Sequence, residues 1–197
     1  MPQNRNDRLA KDYRDMLKLQ NRPYLSWIVT KGEPPCAEEY LLNVHLRTYV
    51  LSVQSGKYVV GAVRRSTVRV TLWDSYPLTP PYIKMLDIPP VFHPDWYSKG
   101  TYSPSVPWRP DTSLKEYIKE MLRTLRYDPE PIETERPANY KALDWYIRRK
   151  NDDSLFPSDR TELTENNAEE TAAAEKAVLS LGEVIDSWQA GGRRADE

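Results

Sequence analysis

Two clusters of prolines interrupt this chain, one after a region typical of strands and one after a region typical of a helix. The first cluster holds prolines at 77, 80 and 81, and the second holds prolines at 129 and 131. Because proline fixes φ and lacks a backbone N–H, neither a helix nor a central strand continues through such a cluster. Stretches rich in Val, Tyr, Thr and Leu precede the first cluster at 24–30, 41–53, 57–63 and 67–73, and a short one follows at 82–86. They predict a four-stranded antiparallel meander with one further strand.

Three segments of the first 150 residues show the apolar spacing of amphipathic helices. The residues that share a face are Leu9, Tyr13, Met16 and Leu17 in the first segment, Leu114, Tyr117, Ile118, Met121, Leu122 and Leu125 in the second, and Tyr140, Leu143 and Ile147 in the third. We expect Thr112 or Ser113 to cap the second helix, and Arg8, Lys11, Arg14 and Lys18 to form a basic outer face on the first. The prediction is an α+β domain at 1–150.

The charge distribution separates this domain from the last 47 residues. Residues 1–150 carry 24 basic and 17 acidic side chains, whereas 151–197 carry 4 and 12. We expect an acidic linker at 151–170 and an amphipathic helix and tail at 171–197, with Val178, Leu181, Ile185 and Trp188 on one side of the helix. Two roles are open for the tail: it folds back onto the basic domain, which the opposite charges favour, or it docks a partner.

The rest of the composition excludes several classes of protein. Cys36 is the only cysteine, and His45 and His93 are the only histidines, so no intramolecular disulfide and no zinc site of Cys and His ligands is expected. No apolar run reaches the ~18 residues of a membrane span. No nucleic-acid motif accompanies the basic residues. We therefore expect a cytoplasmic protein without metal or cofactor, bound to neither membrane nor nucleic acid.

Short motifs in a fixed order connect the chain to a known family. They are Tyr76-Pro77-Leu78-Thr79-Pro80-Pro81, His93-Pro94-Asp95, Gly100-Thr101-Tyr102-Ser103, Trp108-Arg109-Pro110 and Asp128-Pro129-Glu130-Pro131. Over roughly residues 5–150 this order resembles the ubiquitin-conjugating (carrier) enzymes, with their YPxxPP turn, His-Pro-Asn signature, Gly-x-x-Cys motif and Asp-Pro-Asn-Pro motif. The resemblance implies a ubiquitin-conjugating fold: an N-terminal helix, the meander, an active-site loop and C-terminal helices. It is greatest to the divergent bacterial members, which implies a bacterial pathway and a role in antiviral defence.

Ser103 occupies the position of the family's catalytic cysteine. That cysteine takes the C-terminal glycine of a ubiquitin-like protein from an activating enzyme as a thioester and yields it to an amine. A serine hydroxyl is far less acidic than a thiol and attacks only with help from a base. Three interpretations follow: a natural serine that forms an oxyester, a serine that replaces a native cysteine, or a non-catalytic variant that binds a ubiquitin-like protein or an activating enzyme as an adaptor.

The resemblance also assigns roles to other residues. Asp95 and Glu133 are the candidate bases for Ser103, and His93 is expected to support the loop by hydrogen bonding. Tyr102, Pro104 and Trp108 are expected to shape a groove for the extended tail of the ubiquitin-like protein. The expected partners are that protein and an activating-enzyme-like adenylyltransferase, which the resemblance places on the first helix. The residues expected to contact it there are Arg8, Lys11 and Arg14. Cys36 is interpreted as an incidental thiol and His45 as a surface residue.

Overall fold

The computed structural model of this protein describes residues 4–156 and 162–177. Its elements in chain order are α1 (Arg5–Leu17), β1 (Leu25–Lys31), β2 (Glu39–Val44), β3 (Thr48–Gln54), β4 (Lys57–Val63), β5 (Ser66–Thr71), β6 (Tyr82–Met85), α2 (Leu114–Leu125) and α3 (Tyr140–Arg149). Residues 168–177 are also helical. The prediction of a mixed α+β chain with antiparallel strands is confirmed.

The sheet contains different strands from those of the predicted meander. Four antiparallel strands pair in the order β1-β2-β5-β6, while β3 and β4 form a separate hairpin. The predicted strand at 41–53 is two strands, because the chain leaves the sheet after Val44 and returns at Ser66, its partner across the sheet. Thr48 pairs with Val63 at the base of the hairpin. The connection from β2 to β3 and the connection from β4 to β5 therefore lie side by side.

The apolar faces of α1 and α2 pack against the main sheet and form one buried core with it. The α1 side chains Tyr13 and Met16 and the α2 side chains Ile118 and Met121 are almost fully buried in this cluster. Trp27 of β1 lies at its centre and makes an edge contact with the Tyr13 ring at 5.9 Å. Ser113, one of the two expected caps, accepts a hydrogen bond from the N–H of Glu116 at 3.2 Å and caps α2.

A second aromatic cluster fixes the hairpin to α3. Tyr49 of β3 contacts the rings of Tyr127, Trp145 and Phe156 at 5.6, 5.0 and 5.5 Å. Its hydroxyl donates to the carbonyl of Leu155 at 2.7 Å. The base of the hairpin therefore has a fixed position beside the helix, although it lies outside the main sheet.

Described residues of the predicted acidic linker contact the folded body. Leu163 is buried in the main core, and Asn166 donates to the carbonyls of Leu17 and Gln20 at 2.9 and 2.8 Å. Glu165 forms ion pairs with Lys115 and Lys119 at 2.7 and 2.9 Å. Acidic residues of the tail thus pair with basic residues of the domain. The expected apolar face at Val178, Leu181, Ile185 and Trp188 lies outside the described residues.

Candidate active site around Ser103

Ser103 lies at the end of a short strand pair that extends the main sheet. Trp96 pairs with Tyr102, and Thr101 pairs with Lys84 of β6. The N–H of Met85 donates to the carbonyl of Gly100 at 2.7 Å. Gly100 has φ +85°, and a Cβ there would lie 3.1 Å from the Met85 carbonyl oxygen. Because only glycine fits this turn without strain, Gly100 sets the path of the chain that leads to Ser103.

Asp95 and Ser103 are neighbours across this strand pair. The N–H of Ser103 donates to the carbonyl of Asp95 at 2.8 Å. Opposite residues of an antiparallel pair project their side chains from the same face, with Cβ atoms about 5 Å apart. Ser103 is half-exposed, whereas Asp95 is fully buried. The backbone hydrogen bond therefore places an accessible serine opposite a buried aspartate, and Oδ2 of Asp95 accepts no hydrogen bond from the Ser103 hydroxyl.

The Asp95 carboxyl has one partnered and one unpartnered oxygen within the described residues. Oδ1 accepts a hydrogen bond from the backbone N–H of Glu133 at 2.9 Å, and Oδ2 is buried without a partner. Burial raises the pKa of Asp95 to about 7, and the charges of Glu133 and Glu120 add to this rise, while the Glu133 N–H opposes it. At neutral pH this carboxyl is divided between its acid and its ionised forms.

His93 supports the turn before Asp95. Its Nδ1 accepts a hydrogen bond from the N–H of Asp95 at 3.0 Å, and its ring lies 4.3 Å from that of Tyr127. Complete burial lowers the pKa of His93 to about 3, although its interaction with the Thr124 backbone opposes the shift. A neutral, buried imidazole with an accepting Nδ1 has the geometry expected of a loop-supporting residue.

The carboxylate of Glu133 faces its own turn. It is half-buried and accepts hydrogen bonds from the N–H groups of Glu135 and Arg136 at 2.7 and 3.0 Å. These backbone bonds hold the pKa of Glu133 below its usual value. The structure thus brings the backbone N–H of Glu133, and not its carboxylate, to Asp95.

A groove of about 440 Å³ opens beside Ser103. Its walls are mainly aromatic rings and prolines, and they include Trp73, Pro80, Pro81, Tyr82, Tyr102, Pro104, Val106, Pro107, Trp108 and Tyr117. Trp108 donates from Nε1 to the carbonyl of Pro77 at 2.8 Å, which fixes its ring at the groove. The expected groove residues Tyr102, Pro104 and Trp108 are all present. Trp73 and Tyr82 were missed, although an aromatic residue on either side of the proline turn is a signal that could have found them.

The expectation that Arg8 lies on the exposed face of α1 is wrong. Arg8 is buried, and its Nε forms an ion pair with Asp12 at 2.5 Å. Its guanidinium also donates to the Tyr76 hydroxyl at 3.0 Å and to the carbonyls of Pro110 and Thr112. A buried arginine needs this full set of acceptors, which only the tertiary fold supplies.

Lys11 and Arg14, which are also expected to contact the activating-enzyme-like partner, lie on the surface. Lys11 and Arg14 are exposed, and Arg14 donates only to the carbonyl of Ala10 one turn earlier. Cys36 is half-buried and His45 is exposed, and neither residue lines the groove at Ser103. The available basic face of α1 is therefore smaller than the sequence indicates.

Within 4–156 and 162–177, no three His, Cys, Asp or Glu side chains cluster as metal ligands would. In the same residues, no helix has the length and apolar content to span a membrane.

Comparisons with known proteins give structural similarities but no sequence family. No family model matches the chain, and no curated protein matches it. Among solved structures, a Plasmodium vivax ubiquitin conjugating enzyme E2 has 18% identity and a TM-score of 0.41, over 60% of this chain and 98% of that one. Human ubiquitin-conjugating enzyme E2 G1 has 17% identity and a TM-score of 0.44, over 61% and 93% of the two chains.

Proposed function

We propose that this chain has a ubiquitin-conjugating fold and is a carrier that accepts the C-terminal glycine of a ubiquitin-like protein on Ser103 as an oxyester. The observation that carries the proposal is the backbone pair of Asp95 and Ser103, in which Ser103 lines the groove and Asp95 is buried behind it. It combines a reachable hydroxyl with a carboxyl that has a free oxygen and a pKa near neutrality. The ordered motifs around this pair support the assignment to a carrier.

Asp95 supplies the base that a serine nucleophile requires. As the Ser103 Oγ attacks the activated glycine carbonyl, its proton passes to the ionised Asp95 carboxylate. The Oγ–carbonyl bond forms, and the bond that joined the glycine to the activating partner breaks. An amine or hydroxyl acceptor then attacks the ester, takes the glycine and returns Ser103 to its hydroxyl form. His93 and the Glu133 N–H position Asp95 for both steps.

The groove and α1 provide the surfaces for the two protein partners. In this proposal the extended glycine-terminated tail lies in the groove that Tyr102 and Trp108 line, with its carbonyl at Ser103. Lys11 and Arg14 are the exposed cations of α1 that contact the activating-enzyme-like adenylyltransferase, which performs adenylation. On the motif resemblance to bacterial carriers, we assign the reaction to a bacterial cytoplasmic pathway for conjugation of a ubiquitin-like protein, with a role in antiviral defence.

Intact-mass spectrometry tests the proposal. The full chain is incubated with its ubiquitin-like protein, the activating partner and ATP, beside the variants Ser103→Ala and Ser103→Cys. Ser98→Ala is the matched control, since Ser98 is an exposed serine in the turn of the same strand pair. On the unmodified chain and on Ser98→Ala we expect an adduct that survives thiol reductant and is cleaved by hydroxylamine. Ser103→Ala should form no adduct, and the thioester on Ser103→Cys should be lost in thiol reductant.

The other outcomes identify the competing interpretations. An adduct that forms only on Ser103→Cys indicates that serine replaces a native cysteine or inactivates the site. Binding without an adduct in every variant indicates a non-catalytic adaptor.

A further inference from the structure

The hairpin of β3 and β4 leaves one strand edge open. Ser55 and Gly56 connect the strands with φ values of +49° and +75°, as a two-residue type I′ turn requires. β3 is paired with β4 on one side and meets Val91 on the other. In the described part of the chain, no segment pairs with the outer edge of β4.

The register determines which backbone groups this edge presents. Gln54 and Lys57 close the turn, and hydrogen-bonded pairs then alternate along the ladder. The N–H and C=O groups of Lys57, Val59, Gly61 and Val63 therefore face β3. Those of Tyr58, Val60 and Ala62 face outward, where they form a regular row of donors and acceptors.

This edge has few of the features that normally protect edge strands from association. The β4 sequence is Lys-Tyr-Val-Val-Gly-Ala-Val, with a single charge and no proline. Tyr58 is 78% exposed, and Val53 opposite it is 64% exposed. A long apolar edge with unpaired backbone groups is a template for the addition of another strand.

An apolar cavity lies against one face of the hairpin, between β3, β4, residues 89–92 and α3. It has a volume of about 560 Å³ and is bounded by Tyr58 and Val60 of β4, by Pro90, and by Lys141 and Trp145 of α3. Alternate side chains of a strand project from one face. A strand added to β4 would thus place alternate side chains on the same face of the hairpin that lines this cavity, and the cavity shares no residue with the groove at Ser103.

The positive charge around the outer edge of β4 favours a binding segment with acidic residues. Residues 40–73 contain five Lys or Arg side chains and no Asp or Glu. Lys57 lies at one end of β4, Arg64 and Arg65 follow the other end, and Lys141 lines the cavity. In an antiparallel pair of two β4 strands, Lys57 of each copy would approach Arg64 of the other. Like charges oppose that pairing, whereas acidic side chains at the ends of an added strand would meet these cations.

We propose that the outer edge of β4 binds an extended segment of a partner protein by strand addition. The segment has alternating apolar residues that face the cavity and acidic residues at its ends. Main-chain hydrogen bonds to Tyr58, Val60 and Ala62 give affinity, and the cavity and the cations give specificity. The proposal does not depend on chemistry at Ser103.

Amide hydrogen exchange of the full chain, followed by NMR, tests the proposal. The probe is a synthetic peptide of sequence Glu-Glu-Val-Thr-Val-Thr-Val-Glu, and its control has Lys in place of each Glu. We expect the acidic peptide to slow exchange at the amides of Tyr58, Val60 and Ala62 but to leave Val59 and Gly61 unchanged, since these two already donate to β3. The basic peptide should bind roughly tenfold more weakly.

Two variants separate the edge from a general charge effect. Lys57→Glu should weaken binding of the acidic peptide, whereas Lys176→Glu, at an exposed lysine of the helix at 168–177, should not. Ala62→Pro removes one outward N–H and should also weaken binding.

Three results would overturn the proposal. Protection without alternation would show that the edge is not paired, and equal binding of both peptides would show that charge does not select the occupant. Concentration-dependent protection without peptide would assign the edge to a second copy of this chain.

Discussion

The backbone N–H of Glu133 donates a 2.9 Å hydrogen bond to Oδ1 of Asp95, across 38 positions of sequence. This contact joins the turn after α2 to the strand pair that contains Ser103. It occupies one oxygen of the buried carboxyl, whereas Oδ2 has no hydrogen-bond partner among the described residues. The two acidic residues therefore have different tasks: Asp95 acts as the base in the proposed mechanism, and Glu133 holds it in position through its backbone.

Replacement of each side-chain carboxyl by an amide should separate the roles of Asp95 and Glu133. Asp95→Asn removes the base, so we expect the rate of ester formation on Ser103 to fall by roughly 10²- to 10⁴-fold. Glu133→Gln keeps the backbone N–H and a side-chain oxygen for the turn, so its rate should stay close to that of the unmodified chain. Single-turnover mass spectrometry measures both rates. A loss of rate in Glu133→Gln as large as that in Asp95→Asn would make Glu133 the base.

The rate of ester formation should rise as Asp95 ionises. Since burial raises the pKa of Asp95 to about 7, we expect a sigmoidal increase with its midpoint near pH 7. His93 does not contribute a second step in this range, because its pKa is lowered to about 3. The Asp95→Asn variant should lose this step. A midpoint that persists in Asp95→Asn would belong to another group.

The free energy of unfolding should fall as the pH rises, whereas the rate of ester formation should increase. The folded pKa of Asp95 lies above its unfolded value of 3.8, so the native state binds the extra proton between these values. The free energy of unfolding should therefore decline from about pH 4 to about pH 7 through this group. Urea unfolding at a series of pH values measures the decline, and Asp95→Asn should reduce its slope. An unchanged slope would mean that Asp95 titrates alike in both states.

Loss of Arg8 should destabilise the fold far more than loss of another arginine from the same helix. Arg8→Ala leaves the buried Asp12 carboxylate without its cation and deprives two carbonyls of their donor, which should cost about 3 kcal/mol. Arg14→Ala is the matched control, because Arg14 is exposed, and it should change the unfolding free energy by less than about 0.5 kcal/mol. Urea denaturation compares them. Equal effects would remove the structural role assigned to Arg8.

The elements that local pattern determines were predictable from the sequence. α2 follows the apolar spacing from Leu114 to Leu125, and Ser113 was one of two expected caps. The hairpin was not predictable as a separate unit, because the alternation of Val and Leu continues through residues 45–47, which connect β2 to β3. Leu46 in this connection still packs against the main core. Local patterning specifies strands, but it does not specify which strands pair.

The candidate site was predictable in its residues but not in its contacts. The motifs located Ser103, Asp95 and His93. The pairing of Asp95 with Ser103, and the contact between Glu133 and Asp95, depend on chain segments that meet only in the fold. Arg8 was misplaced for a related reason, since a charged residue is assigned to the surface until its buried acceptors are known.

The tail should stabilise the domain through Leu163 and Glu165. Leu163→Ala removes a buried side chain from the main core and should cost about 2 to 3 kcal/mol. Glu165→Gln removes the half-buried ion pairs with Lys115 and Lys119 and should cost about 1 kcal/mol, with a smaller effect at high salt because salt screens the pairs. Glu169→Gln, at an exposed position of the same tail, is the matched control and should have little effect. Urea unfolding at low and high salt measures all three variants. If Leu163→Ala unfolds at the same urea concentration as the unmodified chain, the tail does not stabilise the domain.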